Sequence, residues 1–168
     1  MRVPEPCDIR IEEIDSEEDE LNMRFVSLWV AALIGTAVAA SNSSIEVLNT
    51  WARATVPGAS TGAAFMTVRA TGEADQLVGA SSPVAEHVDV HSSVMNNGIM
   101  EMRAMDAVDV VPGRPTTFAP GGLHFMLMGL RHPLAEGSTF PLTVRFRKAG
   151  AITVNVRVAS FGARSAPD

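Results

Sequence analysis

Short runs of β-forming residues follow one another along most of the chain and are separated by Gly, Pro, Asn and Ser, which restricts the fold more than any other feature. Apolar and polar residues alternate most clearly in residues 142–146 and 152–158, which predicts a hairpin with one buried face. Apart from an apolar segment near the N-terminus, no long stretch has a helical period. Many short strands with frequent turns predict an all-β chain folded as an antiparallel β-sandwich. The candidate strands are residues 45–55, 63–70, 76–81, 87–95, 99–105, 116–119, 140–147 and 152–158.

The first forty residues differ in composition from the rest. Residues 1–22 hold nine of the nineteen acidic residues and little that could be buried, so we predict a disordered acidic extension. Residues 23–40 start with Met23-Arg24, continue as an apolar run and end in small residues, which predicts a signal peptide. The alternative is an uncleaved membrane anchor, although a bilayer span needs about 20 apolar residues.

An acidic extension before a signal peptide is unusual, because signal peptides normally begin near the chain terminus. We therefore hypothesise that translation starts at Met23 and that residues 1–22 reflect a wrongly assigned start. Mass spectrometry of the intact precursor tests this hypothesis, and peptides from residues 1–22 in cells would contradict it.

Removal of residues 1–40 leaves a near-neutral chain with ten basic and ten acidic side chains. That balance argues against nucleic acid or an anionic membrane surface as a partner, and no stable membrane span is predicted in the mature chain. The only cysteine, Cys7, lies in the removed part, so the fold must depend on its apolar core. We predict a folded domain over residues 41–160 and a C-terminal tail over residues 161–168.

Methionines and histidines are concentrated in one part of this domain. Methionine often fills gaps in cores, but here it forms pairs with histidine. His91 and Met102 lie on successive candidate strands around Asn96-Asn97-Gly98. A two-residue loop at 96–97 would place them directly opposite, and one at 97–98 would make them diagonal neighbours on the same face. A three-residue loop would separate them. The methionines of this region are Met95, Met100, Met102, Met105, Met126 and Met128.

His124 and Met126 form a second pair, because residues two apart in an extended chain point the same way. Two imidazoles and two thioethers make a soft, neutral ligand set, and thioether sulfur favours Cu(I). Zinc sites use thiolate, imidazole or carboxylate, and a blue-copper centre needs a cysteine. The predicted site therefore holds one Cu(I) ion with His91, Met102, His124 and Met126.

Further residues flank this set. Met128 and Met100 lie two positions from the ligand methionines, and we interpret them as neighbours that pack around the site or substitute for a ligand, Met128 more so than Met100. His87 shares a strand face with Asp89 and His91 and could orient a ligand or bind a second metal, but we interpret it as an exposed bystander. Gly121-Gly122 precedes His124 and would let the backbone bend closely around the site.

The spacing of these residues resembles the signature of the periplasmic copper chaperones of the PCu(A)C type, which is a His, ten residues, a Met, twenty-one residues and His-x-Met. Ten residues separate His91 from Met102, and twenty-one separate Met102 from His124-Phe125-Met126. The segments at residues 88–91, 98–103 and 120–130 are also similar, and the likeness extends from about residue 45 to residue 158. The resemblance implies a cupredoxin-like, immunoglobulin-like β-sandwich with Cu(I) near its surface.

The resemblance also implies a role in the periplasm. Copper would pass to the binuclear centre of cytochrome c oxidase, with the copper-bearing subunit or a thioredoxin-like copper-insertion protein, or both, as partners. Some relatives carry a His- and Met-rich tail that takes Cu(II), but residues 161–168 contain neither residue type, so no second copper site of that kind is expected.

Three other functions remain as alternatives. The first is a periplasmic copper buffer or resistance protein with the same site but no dedicated acceptor. The second is an enzyme, which the sequence disfavours because no nucleophile–base pair is evident and a four-ligand metal has no open position for substrate. The third is a structural or adhesive sandwich domain in which the His and Met cluster is a coincidence.

Overall fold

The computed structural model describes residues 44–167, and this part of the chain contains ten strands and no helix. The predictions for residues 1–22 and 23–40 concern residues outside this part. No helix long and apolar enough to cross a membrane is found between residues 44 and 167. The strands are β1 (Ile45–Arg53), β2 (Thr61–Ala70), β3 (Asp75–Ser81), β4 (His87–Asn96), β5 (Ile99–Ala104), β6 (Val108–Val110), β7 (Thr116–Phe118), β8 (Leu123–Met128), β9 (Thr139–Phe146) and β10 (Gly150–Ala159).

The strands form one sheet that folds over on itself as a cupredoxin-like, immunoglobulin-like β-sandwich, in the order β5-β4-β8-β7-β2-β1-β10-β9-β3-β6. Neighbouring strands are antiparallel except for β1 with β10 and β7 with β8. A short contact between β3 and β4, at Ala80 and Val88, joins the two halves of the sheet. The predicted all-β fold is confirmed.

The predicted C-terminal hairpin is also confirmed. In β9 and β10, Val144 pairs with Ile152 and Leu142 with Val154. Leu142, Val144 and Phe146 are all buried, so β9 presents one face to the core as its alternation predicted.

Two observed strands, β6 and β8, were not among the candidates. β6 has only three residues, too few for a visible alternation. β8 reads Leu-His-Phe-Met-Leu-Met and has bulky, largely apolar residues on both faces, so it lacks a period of two. Its two faces can be distinguished only in the structure, where Phe125 and Leu127 are fully buried and Met126 and Met128 are partly exposed.

The core beneath β4 and β8 is a closely packed apolar layer. Val88 and Val90 of β4 and Phe125 and Leu127 of β8 belong to the main core cluster. Phe118 of β7 stacks on Phe125, with ring centroids 4.6 Å apart and an interplanar angle of 27°. Because side chains alternate across a strand, the residues between these core positions project from the opposite, outer face of the sheet.

Candidate metal centre

The two predicted histidine ligands face each other across adjacent strands. His91 of β4 pairs directly with His124 of β8, and both lie on the outer face. Their ring centroids are 6.0 Å apart and the rings meet edge to face at 66°. Since metal–imidazole bonds are about 2.0 Å long, small side-chain rotations would bring one nitrogen of each ring onto a shared ion.

The His124 ring is held by the backbone. Its Nδ1 lies 3.0 Å from the carbonyl oxygen of Gly122, and since a carbonyl only accepts, Nδ1 carries the proton and donates it. In the neutral ring, Nε2 is then left with a free lone pair for a metal. The ring is buried, with 8% of the residue exposed. The structure thus presents His124 in the tautomer that coordination through Nε2 requires.

A tight turn places the Gly122 carbonyl beside this ring. Gly121 adopts a positive φ of 82°, which glycine tolerates without steric cost. The Gly122 N–H donates to Ala119 O at 3.0 Å, and the Gly122 carbonyl accepts from Ser93 N–H at 3.1 Å. The predicted bend at Gly121-Gly122 is present. The role of the Gly122 carbonyl was missed, because a backbone oxygen has no signature in the sequence.

His91 presents a nitrogen without a partner. Its Nδ1 is buried and makes no hydrogen bond within residues 44–167. A buried polar atom left unsatisfied costs about 1–3 kcal/mol, and coordination of a metal would remove that cost. Together with the free Nε2 of His124, this atom shows that the residues present fit a bound metal ion.

Met126 lies beside the two histidines on the same face. It follows His124 by two positions in β8, as predicted for an extended chain. It pairs with Asp89 of β4 on one side and with Ala63 of β2 on the other. Its side chain is partly buried in the sheet face.

Met102 reaches the same face from the β4–β5 hairpin. Asn96 pairs with Ile99, so the loop is Asn97-Gly98. Both loop residues have positive φ, 49° and 83°, as a type I′ turn requires. Met102 pairs with Ser93 and is therefore a diagonal neighbour of His91, which is the second of the two registers left open by the sequence. Its side chain is 57% exposed.

The two additional methionines also lie on the outer face. Met128 pairs with His87 of β4 and is partly buried. Met100 pairs with Met95, is closer to the hairpin turn than Met102, and is 58% exposed. His87 is exposed, as expected, and its interpretation as a bystander stays a prediction. A substitute role for Met128 or Met100 stays a prediction.

The predicted ligand set is soft and neutral, and the exposed carboxylate of Asp89 lies beside Met126 on the same face. Within residues 44–167, no three His, Cys, Asp or Glu side chains are grouped so that they could hold a metal. A metal at this face would therefore depend on thioether sulfur as well as imidazole, and that combination favours Cu(I) over zinc. Two histidines and Met126 lie against the sheet, whereas Met102 stands in solvent, so the site is open on one side.

Solved structures share this architecture. The apo PCuAC domain of PmoF2 superposes with a TM-score of 0.60 at 27% sequence identity, over 73% of this chain and 94% of that one. The copper-bound PCuAC domain from PmoF2 gives a TM-score of 0.59 at 26% identity, over 69% of this chain and 92% of that one. Fold and site geometry together define a domain of the PCuAC class.

Sequence comparison identifies the family within this class. Residues 45–158 match the family described as "Putative lipoprotein LpqE-like". The curated relative "Putative lipoprotein Lxx21020" of Leifsonia xyli subsp. xyli (strain CTCB07) is 35% identical over 119 residues, covering 70% of each chain. The chain belongs to the LpqE-like family.

Proposed function

We propose that this protein is a copper chaperone that binds one Cu(I) ion with His91, Met102, His124 and Met126. The observation that carries the proposal is the directly opposed pair His91 and His124. His124 is locked by Gly122 with Nε2 free, and His91 has a buried, unpartnered Nδ1. Thioethers from two different strands lie on the same face. The copper-bound PCuAC structure supports the choice of metal.

We propose that the protein works in the periplasm, where its signal peptide would direct it. The name of its family, which describes a lipoprotein, supports export. An oxidising compartment favours this ligand set, because thioethers do not pair into disulfides as thiols do. The proposed cargo complex carries a single positive charge from Cu(I), since all four ligands are neutral.

Delivery to cytochrome c oxidase is the proposed destination of the copper. The acceptor would be the copper-bearing subunit, for its binuclear centre, reached directly or through a thioredoxin-like copper-insertion protein. The exposed Met102 supports a transfer role, because an acceptor ligand approaching from solvent can replace it without disturbing the histidines. The reaction is ligand exchange and requires no catalytic residue. The alternative is copper buffering without a dedicated acceptor.

Anaerobic Cu(I) titration against a strong chelator tests the site. Wild-type protein is expected to bind one equivalent, and both His124→Ala and Met126→Ala are expected to weaken binding by about 100-fold or more, since loss of outer-shell partners alone typically costs 10- to 100-fold. His132→Ala is the matched control, because His132 is exposed and outside the site. Unchanged affinity in both ligand variants would refute the site.

Transfer to an apo fragment of the oxidase subunit separates the two roles. A chaperone is expected to lose its copper to the fragment, with X-ray absorption showing sulfur and nitrogen around the ion before transfer. Retention of copper by the protein, with copper resistance lost on gene deletion, would favour buffering.

A further inference from the structure

The β4–β5 hairpin exposes an unusual number of apolar side chains beyond the proposed centre. Val94, Met95, Ile99 and Met100 are each more than half exposed. These four residues are divided by type between the two faces. Met95 and Met100 pair with each other on the outer face, the face of Met102, whereas Val94 and Ile99 point to the opposite face.

The ladder places the two sulfur-bearing side chains close together. Met105 N–H donates to Val90 O at 2.8 Å, so the even-numbered residues of β4 form the hydrogen-bonded pairs with β5. Met95 and Met100 are thus a non-hydrogen-bonded pair, whose Cα atoms lie about 4.5 Å apart and whose side chains are closest. Met100 and Met102 are two residues apart on one strand, about 7 Å.

The chemistry of this face suits one kind of ligand. The only carboxylate in β5, Glu101, belongs to the opposite face and is engaged by Arg103 at 3.0 Å and by Asn96 at 3.3 Å. Two neighbouring thioethers without a nearby carboxylate or imidazole do not attract Zn²⁺, Ca²⁺ or Mg²⁺, which prefer harder ligands. They favour a soft monovalent cation such as Cu(I) or Ag(I).

We propose that Met95 and Met100 form a second, weaker site for Cu(I), which exchanges its ion with the main centre through Met102. This proposal rests on the proposed function, because the exchange requires Cu(I) at the main centre. The second site is weaker because it has two ligands, both exposed, in place of four. An ion arriving from solvent would contact the hairpin methionines before Met102, which lies between the two sites, and a departing ion would meet them in the reverse order.

Silver titration of the full-length protein with Cys7→Ser, which removes the only competing thiol, tests the proposal. The methionines carry ¹³C-methyl groups, and Ag(I) is a redox-stable probe of the same ligand preference. The first equivalent is expected to shift the methyl signals of Met102 and Met126. A second phase is expected to shift those of Met95 and Met100. If several equivalents leave the Met95 and Met100 signals unmoved, the proposal is wrong and the exposed hairpin is an apolar surface of another kind.

Met95→Leu is the critical variant, because leucine preserves size and apolarity while removing the sulfur. It is expected to abolish the second phase, including the Met100 shift, and to leave the first equivalent unchanged. Met105→Leu is the matched control, since Met105 is exposed but belongs to the other face, and it should retain both phases.

The two proposals fail in different ways. Loss of the first phase with shifts only at Met95 and Met100 would refute the main centre and its exchange with the hairpin. A persistent second phase in Met95→Leu would refute the pair and leave the main centre intact.

Discussion

The two hairpins of this domain, β4–β5 and β9–β10, have opposite relations to the rest of the molecule. In β9–β10, one face is buried through Leu142, Val144 and Phe146. Beyond Ser93, both faces of β4–β5 are largely exposed, and its two-residue loop stands in solvent. The same element of secondary structure thus contributes to the core in one place and to the solvent-facing side of the proposed copper site in the other.

The loops of the two hairpins also differ in how firmly they are anchored to the rest of the domain. The β9–β10 loop is tied to β3 by the buried carboxylate of Asp75, which accepts hydrogen bonds from Lys148 N–H at 2.9 Å and Ala149 N–H at 2.8 Å. The β4–β5 loop is held from within its own hairpin, by its type I′ geometry at Asn97-Gly98 and by the hydrogen bond from the Asn96 side chain to Glu101. The β9–β10 hairpin is thus anchored to the rest of the fold, whereas the β4–β5 hairpin carries part of the proposed copper site on a less anchored element.

The largest expected effect is on the free energy of unfolding, to which the two hairpins should contribute differently. Phe146→Ala should lower the free energy of unfolding by about 3–5 kcal/mol, because it removes a buried aromatic ring and leaves a cavity. Ile99→Ala, at a position 68% exposed, should change it by about 0.5 kcal/mol or less. Chemical denaturation of both variants measures the difference. Similar losses of unfolding free energy in the two variants would contradict the view that β9–β10 contributes more to stability than β4–β5.

The next effect comes from the anchored loop and depends on pH. Burial raises the pKa of Asp75, but hydrogen bonds from Ala149, Lys148 and Gln76, helped by the Lys148 charge, lower that pKa overall below its ordinary value. A carboxylate with a lowered pKa stabilises the fold above its unfolded pKa and loses that contribution as pH falls through the folded value. Asp75→Asn should therefore cost about 1.5–3 kcal/mol at pH 7.

The pH dependence of the unfolding free energy tests whether the charge of Asp75 causes the effect. The difference in unfolding free energy between wild type and Asp75→Asn should shrink as pH falls below about 4. Cu(I) affinity at pH 7 should be equal in the two proteins, because the carboxylate contacts the other hairpin. A difference that stays constant down to acidic pH would show that the charge of Asp75 is unimportant.

The smallest expected effect on stability comes from one glycine at the turn of each hairpin, Gly98 in the β4–β5 loop and Gly150 at the start of β10. Gly98 and Gly150 both adopt positive φ, 83° and 79°, with open space where a Cβ would lie. Alanine at either position should cost about 1–2 kcal/mol from backbone strain alone. Only Gly98→Ala is expected to weaken Cu(I) binding, because it disturbs the register that aligns Met102 with His91. Equal affinities in the two variants, measured against the same chelator, would contradict this.

The sequence predicted those parts of the domain that depend on local alternation or on fixed spacing. The β9–β10 hairpin and the shared face of His91, Met102, His124 and Met126 follow from a period of two and from short turns. β8 was not recognised as a strand because His124 and Met126 on its outer face are as bulky as its core residues. The choice between the two registers of β4–β5 was also open, since both loops contain residues that accept positive φ.

The orientation of the histidine rings was beyond prediction for a different reason. The Gly122 carbonyl lies beside His124 because of a turn at Ala119–Gly122 and a contact with Ser93, a residue almost thirty positions earlier. Such an arrangement depends on tertiary packing and leaves no pattern in the chain. Burial of His91 Nδ1 depends likewise on side chains that surround it in space.

Because the type I′ turn at Asn97-Gly98 fixes the register of β4 and β5, an odd or even difference in residue number decides whether two residues share a face of the sheet. With a two-residue loop, residues on the two strands share a face only when their sequence numbers differ by an odd number, as 91 and 102 do. Adding one residue to a single strand while the turn is kept would move the sulfur to the reverse side of the sheet. Adding one residue to each strand would keep it on the copper side. Variation in the length of this hairpin is therefore compatible with copper binding only in steps of two.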